Sequence, residues 1–172
     1  MIHRRDFLTL TGGALLWPAA HALADGHEAK TGDPAVQAAL AKSGFVYVSP
    51  LLADGSESTC HGEVWFGHFD GAAVLITGAT TWKARALARG LDRARVWVGD
   101  HGRWKQLVAR NEAFRKAPHF DARASRVRDD ALLEKLLAVY ETKYPDEIAS
   151  WRDKMRSGYH DGSRWLIRYA PA

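Results

Sequence analysis

The turn pair Asp70 and Gly71, set between two strand-like runs, constrains the fold of this chain more than any other feature of its sequence. Asp-Gly is a preferred sequence of the two-residue type I′ turn, because both residues accept the positive φ that this turn requires. The runs before it, 63–69, and after it, 72–77, are rich in β-branched and aromatic residues, which favour strands. The sequence therefore predicts an antiparallel hairpin.

A short helix is predicted directly after this hairpin. Gly78 ends the second strand, Thr80 or Thr81 is the expected N-cap, and Gly90 is the expected C′ residue. The turn brings hydroxyl groups, free backbone N–H groups and the ammonium of Lys83 to the start of the helix. Because N–H groups donate to an anion, and the helix dipole and the ammonium attract it, this turn is a candidate phosphate-binding site.

The rest of the chain contains further short strands and a few helices. Strands are predicted over 45–49, 93–99, 103–109, 121–127 and 165–169. Helices are predicted from Pro34 to the residue before Gly44, over 129–144, and from Pro145 onward. This pattern predicts a mainly β domain, a small β-barrel with helices added in its C-terminal part.

The N-terminus is typical of an export signal. Arg4 and Arg5 are followed by Phe7 and Leu8 in the twin-arginine form, and an apolar segment and two A-x-A cleavage options come next. The apolar segment is too short to span a membrane. We therefore expect periplasmic localisation by the twin-arginine route. The expected organisation is a signal over 1–24, a leader with a short helix over 25–42 and one domain over 43–172.

Charge and composition disfavour several functional classes. The formal charge of +4 comes from lysines and arginines spread along the chain, so no basic patch indicates a nucleic-acid partner. Cys60 is the single cysteine, which excludes an intramolecular disulfide, and its neighbour His61 would point to the opposite face of a strand. The histidines lack H-x-x-x-H and H-E-x-x-H spacings, which disfavours a zinc site.

The segment after the hairpin and the last strand carry a family likeness. Thr77, Thr81 and Lys83 fit the form T-x-x-x-S-R-K, with Trp82 in place of the arginine, and the stretch 165–171 reads WLIRYAP. Both segments resemble the pyridoxamine-phosphate-oxidase-like, FMN-binding split β-barrel superfamily. The overall layout is similar to the nitroreductase-like and uncharacterised members of that superfamily.

The resemblance implies a split β-barrel, an FMN cofactor and a homodimer, since the superfamily often binds its cofactor between two subunits. It implies that the phosphate is held by Thr77, Thr80, Thr81, Lys83 and Arg85. It also implies that the flavin ring lies along the preceding strand, against Val64, Trp65 and Phe66. The implied activity is that of a flavin-dependent oxidoreductase with a small-molecule substrate or electron donor. Pyridoxamine phosphate oxidation itself is not expected, because Gly158 and Gly162 replace both arginines of the oxidase motif R-x-H-D-R.

Three alternatives stay open at this point. Some split-barrel relatives bind haem, for which His61 or His68 would be the axial ligand, and a deazaflavin would use the same turn as FMN. In a cofactor-free binding or structural module, the threonine-rich turn would only cap a helix. Four tryptophans fall near the expected cleft, where they suit either ligand stacking or core packing: Trp65, Trp82, Trp97 and Trp104.

Overall fold

The computed structural model describes residues 33–105 and 108–172. The predicted twin-arginine signal and most of the predicted leader therefore lie outside the described residues. Within the described ranges, no helix is long and apolar enough to cross a membrane.

Seven strands and five α-helices make up the described chain. The strands are β1 (Phe45–Pro50), β2 (Gly62–Trp65), β3 (Gly67–Phe69), β4 (Ala72–Gly78), β5 (Arg93–Val98), β6 (His119–Val127) and β7 (Arg164–Pro171). The helices are α1 (Pro34–Lys42), α2 (Trp82–Ala88), α3 (Asp130–Lys143), α4 (Pro145–Ile148) and α5 (Arg152–His160). A 3₁₀-helix at Ala113–Lys116 lies between β5 and β6.

The strands form one antiparallel sheet in the order β2-β1-β5-β6-β7-β4-β3. Its two edge strands, β2 and β3, are separated in the chain by Phe66 alone, so the sheet curls into a nearly closed barrel. The predicted fold, a mainly β barrel with added helices, is confirmed.

The predicted turn at Asp70 and Gly71 is also confirmed. Their φ angles are 48° and 72°, which are the positive values of a type I′ turn. The strand before this turn was predicted as one piece over 63–69, and that prediction is wrong. Only β3 pairs with β4, whereas β2 pairs with β1.

Side chains of α3 and of its C-cap residue, Tyr144, account for this break. The Tyr140 hydroxyl donates to the carbonyl of Trp65 at 2.9 Å. The Phe66 N–H donates to the Tyr144 hydroxyl at 3.4 Å, and the Phe66 carbonyl accepts from Lys143 Nζ at 3.3 Å. These bonds satisfy backbone groups that a continuous hairpin ladder would have used, so the chain can cross between the sheet edges at Phe66.

The barrel encloses one core and α3 covers a second. Phe66 and alternate residues of the strands fill the interior: Val46, Val48, Ala73, Leu75, Val96, Ala122, Ile167 and Tyr169. Helix α3 packs Leu133, Leu136, Leu137 and Tyr140, which lie on one face of the helix, against the outer face of the sheet.

Two further predicted elements differ from the structure. A strand was predicted over 103–109, but the residues of this range that the structure describes form none. Lys105 forms only an isolated bridge with Arg110. Trp104 instead packs against the cluster of Tyr47, Trp97 and Phe114, which draws this segment into a loop over the barrel wall. The helix predicted from Pro145 is divided into α4 and α5 by tight i→i+3 turns after Ile148.

Candidate functional site

The threonine-rich turn leads into α2, a short helix whose bounds agree with the prediction. The helix has seven residues, and Gly90 follows its C-cap with φ 81° as the predicted C′ residue. Thr81 is the N-cap by position, yet its hydroxyl donates back to the carbonyl of Gly78 at 2.8 Å and caps no helical N–H group. The same hydroxyl lies 3.1 Å from Thr77 Oγ1, whereas Thr80 is exposed. Because seven peptide units sum to a small macrodipole, any attraction for an anion here depends mainly on side-chain charge.

The charge at this turn belongs to Lys83, and the structure buries it. Only 8% of Lys83 is exposed. Its Nζ lies 4.4 Å from the centroid of the Trp82 ring and would lie 3.5 Å from a Cβ at Gly62. Within the described ranges no carboxylate oxygen lies within 4 Å of this ammonium. Burial lowers the pKa of Lys83 from 10.5 to about 8.

Gly62 allows this close approach of α2 to the first residue of β2. A Cβ atom at Gly62 would lie 2.9 Å from Cζ2 of Trp82, which is closer than Cβ contacts in folded proteins come. The missing side chain therefore leaves room for both the Trp82 indole and the Lys83 ammonium at the end of the barrel.

A cavity of about 540 Å³, here called the His61 cavity, opens beside this contact. Its walls combine the indoles of Trp82 and Trp104 with charged and polar groups: His61, Gly62, Glu63, Arg103 and Lys105. The volume lies in the range of small-molecule and cofactor sites. Two aromatic faces and two cations suit a flat molecule that carries negative charge.

The imidazole of His61 is fixed by hydrogen bonds on both of its nitrogens. Arg115 Nη2 donates to Nε2 at 3.2 Å, so Nδ1 carries the proton and donates to the hydroxyl of Ser49. Burial and the positive charge of Arg115 lower the pKa of His61 below 6.5. His61 is therefore neutral at pH 7 and presents one tautomer.

Replacing Ser49 by alanine should destabilise the fold by about 1–2 kcal/mol, because Arg115 still holds the tautomer and the buried Nδ1–H loses its acceptor. The imidazole ¹⁵N chemical shifts report the tautomer, and urea unfolding reports the free energy. A Ser125→Ala variant, which changes an exposed hydroxyl on β6, is the matched control. ¹⁵N shifts that place the proton on Nε2 in the wild type, or an unchanged free energy of unfolding in Ser49→Ala, would contradict the assignment.

The residues predicted to contact a flavin ring lie elsewhere. Phe66 is fully buried in the barrel core, and Val64 packs against the same core. Trp65 stacks on Tyr144 with ring centroids 4.3 Å apart, on the α3 side. Their side chains are thus used in packing, whereas the start of β2, at Gly62 and Glu63, lines the His61 cavity.

Arg85 faces a different space, here called the Cys60 cavity, with a volume of about 330 Å³. Trp82 lies in the walls of both cavities and Arg85 in the walls of this one. The predicted phosphate-binding residues therefore fall into four groups: the bonded pair Thr77 and Thr81, the exposed Thr80, the buried Lys83, and Arg85.

Sequence reasoning missed most of the His61 cavity. The sequence did not indicate that Arg103, Trp104 and Lys105 line this cavity, because the segment was interpreted as a strand. A tryptophan between two basic residues just after a Gly was the available signal. The second haem-ligand candidate, His68, lies on β3 with its Nε2 buried and without a hydrogen-bond partner in the described structure.

Comparisons with known proteins support the fold. No protein-family model matches the chain, and no curated protein matches it in sequence. Among solved structures, HutZ, a haem storage protein of Vibrio cholerae, superposes with a TM-score of 0.54 at 18% identity, covering 81% of this chain and 89% of HutZ.

Two further structures are similar. A conserved hypothetical protein of Mycobacterium tuberculosis has a TM-score of 0.55 at 19% identity, over 81% of this chain and 80% of that protein. A pyridoxamine 5′-phosphate oxidase candidate of Listeria innocua has a TM-score of 0.50 at 15% identity, over 79% and 90% of the two chains. At these identities the likeness concerns the fold alone. The chain thus has the split β-barrel fold of the pyridoxamine 5′-phosphate oxidase-like proteins.

Proposed function

We propose that this protein binds FMN in the His61 cavity and acts as a flavin-dependent oxidoreductase. The observation that carries the proposal is the Lys83 ammonium, which is buried beside the cavity wall without an anionic partner in the described chain. A buried charge without a counter-ion is costly. The phosphate of a cofactor would supply the missing negative charge and offset this cost.

The cavity suits the remaining parts of a flavin. Trp82 and Trp104 offer aromatic faces to a planar ring, and Arg103 and Lys105 add positive charge at the exposed side. The split-barrel fold also occurs in a pyridoxamine 5′-phosphate oxidase candidate. When bound, the flavin would supply the redox chemistry, and the chain would supply binding and orientation. Phosphate contacts from Thr77, Thr80, Thr81 and Arg85, and ring contacts from Val64, Trp65 and Phe66, stay predictions.

The proposal extends to the state of the protein in the cell. We propose export to the periplasm by the twin-arginine route, because that route moves folded proteins and would carry a noncovalent flavin with its protein. We also propose a homodimer, because the superfamily that this sequence resembles often binds its cofactor between two subunits. A deazaflavin would use the same ammonium through its own phosphate.

The test is the visible spectrum of the purified protein and an FMN titration of the wild type and a Lys83→Met variant. We expect flavin bands in the wild type and an affinity about 10- to 100-fold lower in the variant, which loses a charge-assisted contact. A Lys135→Gln variant, on the exposed face of α3, is the control and should bind FMN normally. Equal affinity for FMN in the wild type and Lys83→Met would remove Lys83 from the site.

Haem binding is the second candidate function, favoured by the likeness in fold to HutZ, a haem storage protein. His61 lines the cavity, but its Nε2 accepts from Arg115, so iron ligation would require that bond to break. A Soret band lost in a His61→Ala variant would support haem. A colourless protein that gains no thermal stability from FMN, haem or a deazaflavin would favour the cofactor-free module.

A further inference from the structure

The Cys60 cavity shares Trp82 with the His61 cavity, but the rest of its lining differs. Its apolar lining consists of Pro50, Leu52, Ala86 and Leu91, together with the Trp82 indole. Leu52 is 45% exposed, which leaves apolar surface open to water here. Burying that surface under an apolar ligand would be favourable.

Two arginines, Arg85 and Arg89, also line the Cys60 cavity. Trp82, Arg85, Ala86 and Arg89 all line it, and their spacing of three, four and seven residues places them on one face of α2 and its C-cap. Arg85 and Arg89 are exposed, and neither makes an ion pair within the described ranges. Like charges four residues apart repel each other, and an anion between them would relieve that repulsion.

The end of the helix explains part of this arrangement but not all of it. Cations near a helix C-terminus are favoured by the dipole, which accounts for two arginines at this position. The dipole does not account for an open apolar surface enclosed between these arginines and Leu52. An aromatic ring would fill the apolar part, and a carboxylate would match the planar fork of a guanidinium.

We propose that the Cys60 cavity is a binding site for a small aromatic carboxylate, separate from the His61 cavity. The ring packs against Trp82, Leu52 and Leu91, and the carboxylate pairs with Arg85 and Arg89. The volume of about 330 Å³ is at the small end of ligand sites, so the ligand is a single compact molecule and not a dinucleotide. The site goes beyond the proposed FMN function and does not depend on it.

Calorimetric titration of the purified protein with 2-naphthoate tests the site, with neutral 2-naphthamide as the matched probe. We expect 2-naphthoate to bind with a dissociation constant on the order of 1 mM or tighter, and 2-naphthamide about tenfold more weakly. The double variant Arg85→Gln, Arg89→Gln should lose about tenfold in affinity for the carboxylate only. An Arg128→Gln variant, an exposed arginine outside the cavity, should behave as the wild type.

A second variant separates ring binding from charge. Leu52→Asp places a carboxylate on the apolar lining and should weaken both probes, and because Leu52 is exposed the fold should tolerate it. Equal binding of 2-naphthoate to the double variant and the wild type, or no binding in the millimolar range, would overturn the proposal. Displacement of 2-naphthoate by FMN would overturn it too, because the two ligands would then compete for one site. A protein that ignores FMN but binds 2-naphthoate through these arginines would overturn only the proposed function.

Discussion

Replacing Lys83 by methionine should raise the free energy of unfolding of the cofactor-free protein by roughly 2 kcal/mol at neutral pH. The gap between the ordinary pKa of 10.5 and about 8 corresponds to roughly 3 kcal/mol of cost for burying the charged form. Lost attraction between the ammonium and the Trp82 ring removes part of this gain. Methionine fills a similar volume without a charge. Stabilisation on removal of a lysine is unusual, so the sign of the change is itself informative.

The effect should depend on pH in a defined direction. Below pH 8 the amine is protonated in both the folded and the unfolded chain, so the folded wild type bears the full cost of burying the charge. Between about pH 8 and 10.5 the folded chain loses this proton before the unfolded chain does, and wild-type stability rises relative to the variant. Urea unfolding at several pH values measures the difference, which should vanish above that window. A difference that is constant with pH would contradict the burial of Lys83.

Phe66→Ala should lower the free energy of unfolding by about 3–5 kcal/mol, the largest loss expected from a single substitution discussed for this chain. Phe66 is fully buried in the barrel interior at the junction of the two edge strands. Lys143 Nζ lies 4.0 Å from its ring centroid and also donates to its carbonyl. Truncation to alanine would leave a cavity where the barrel closes and would remove the aromatic ring that the Lys143 ammonium contacts.

The conservative variant Phe66→Leu is the control and should cost less than about 1.5 kcal/mol, since it keeps most of the volume. Thermal or urea unfolding of the cofactor-free protein gives both values. If Phe66→Ala lowers the free energy of unfolding by less than about 1 kcal/mol and also weakens FMN binding, Phe66 would contact the flavin ring, as the family resemblance implied.

Local signals in the sequence predicted the local structure well. Asp70 and Gly71 form the expected positive-φ turn, and Gly90 ends α2 as expected. Asp33 accepts from the N–H of Ala35 and Asp129 from that of Leu132, so both N-caps are where the sequence predicted helix starts. Each of these features depends on φ preferences and on hydrogen bonds that span two or three residues.

The candidate site shows where such signals end. The sequence indicated Lys83 as a charged residue near a turn, but its burial follows from Gly62 on another strand, where a Cβ would collide with Trp82. The sequence likewise did not indicate that Arg85 would line a separate cavity, or that Arg103 and Lys105 would join His61. These placements depend on how the loop after β5 and the start of β2 meet around α2.

The sequence by itself thus determined the turn at Asp70 and Gly71, the N-caps at Asp33 and Asp129 and the class of fold, because these follow from interactions between near neighbours in the chain. The tertiary structure alone decided that the strand before the turn splits at Phe66, and that Trp82 separates two cavities. The split depends on Tyr140, Tyr144 and Lys143, which take up backbone groups of Trp65 and Phe66 from more than 70 positions away. Pairings at that distance arise only when the packed helix and the closed sheet meet, so no local pattern encodes them.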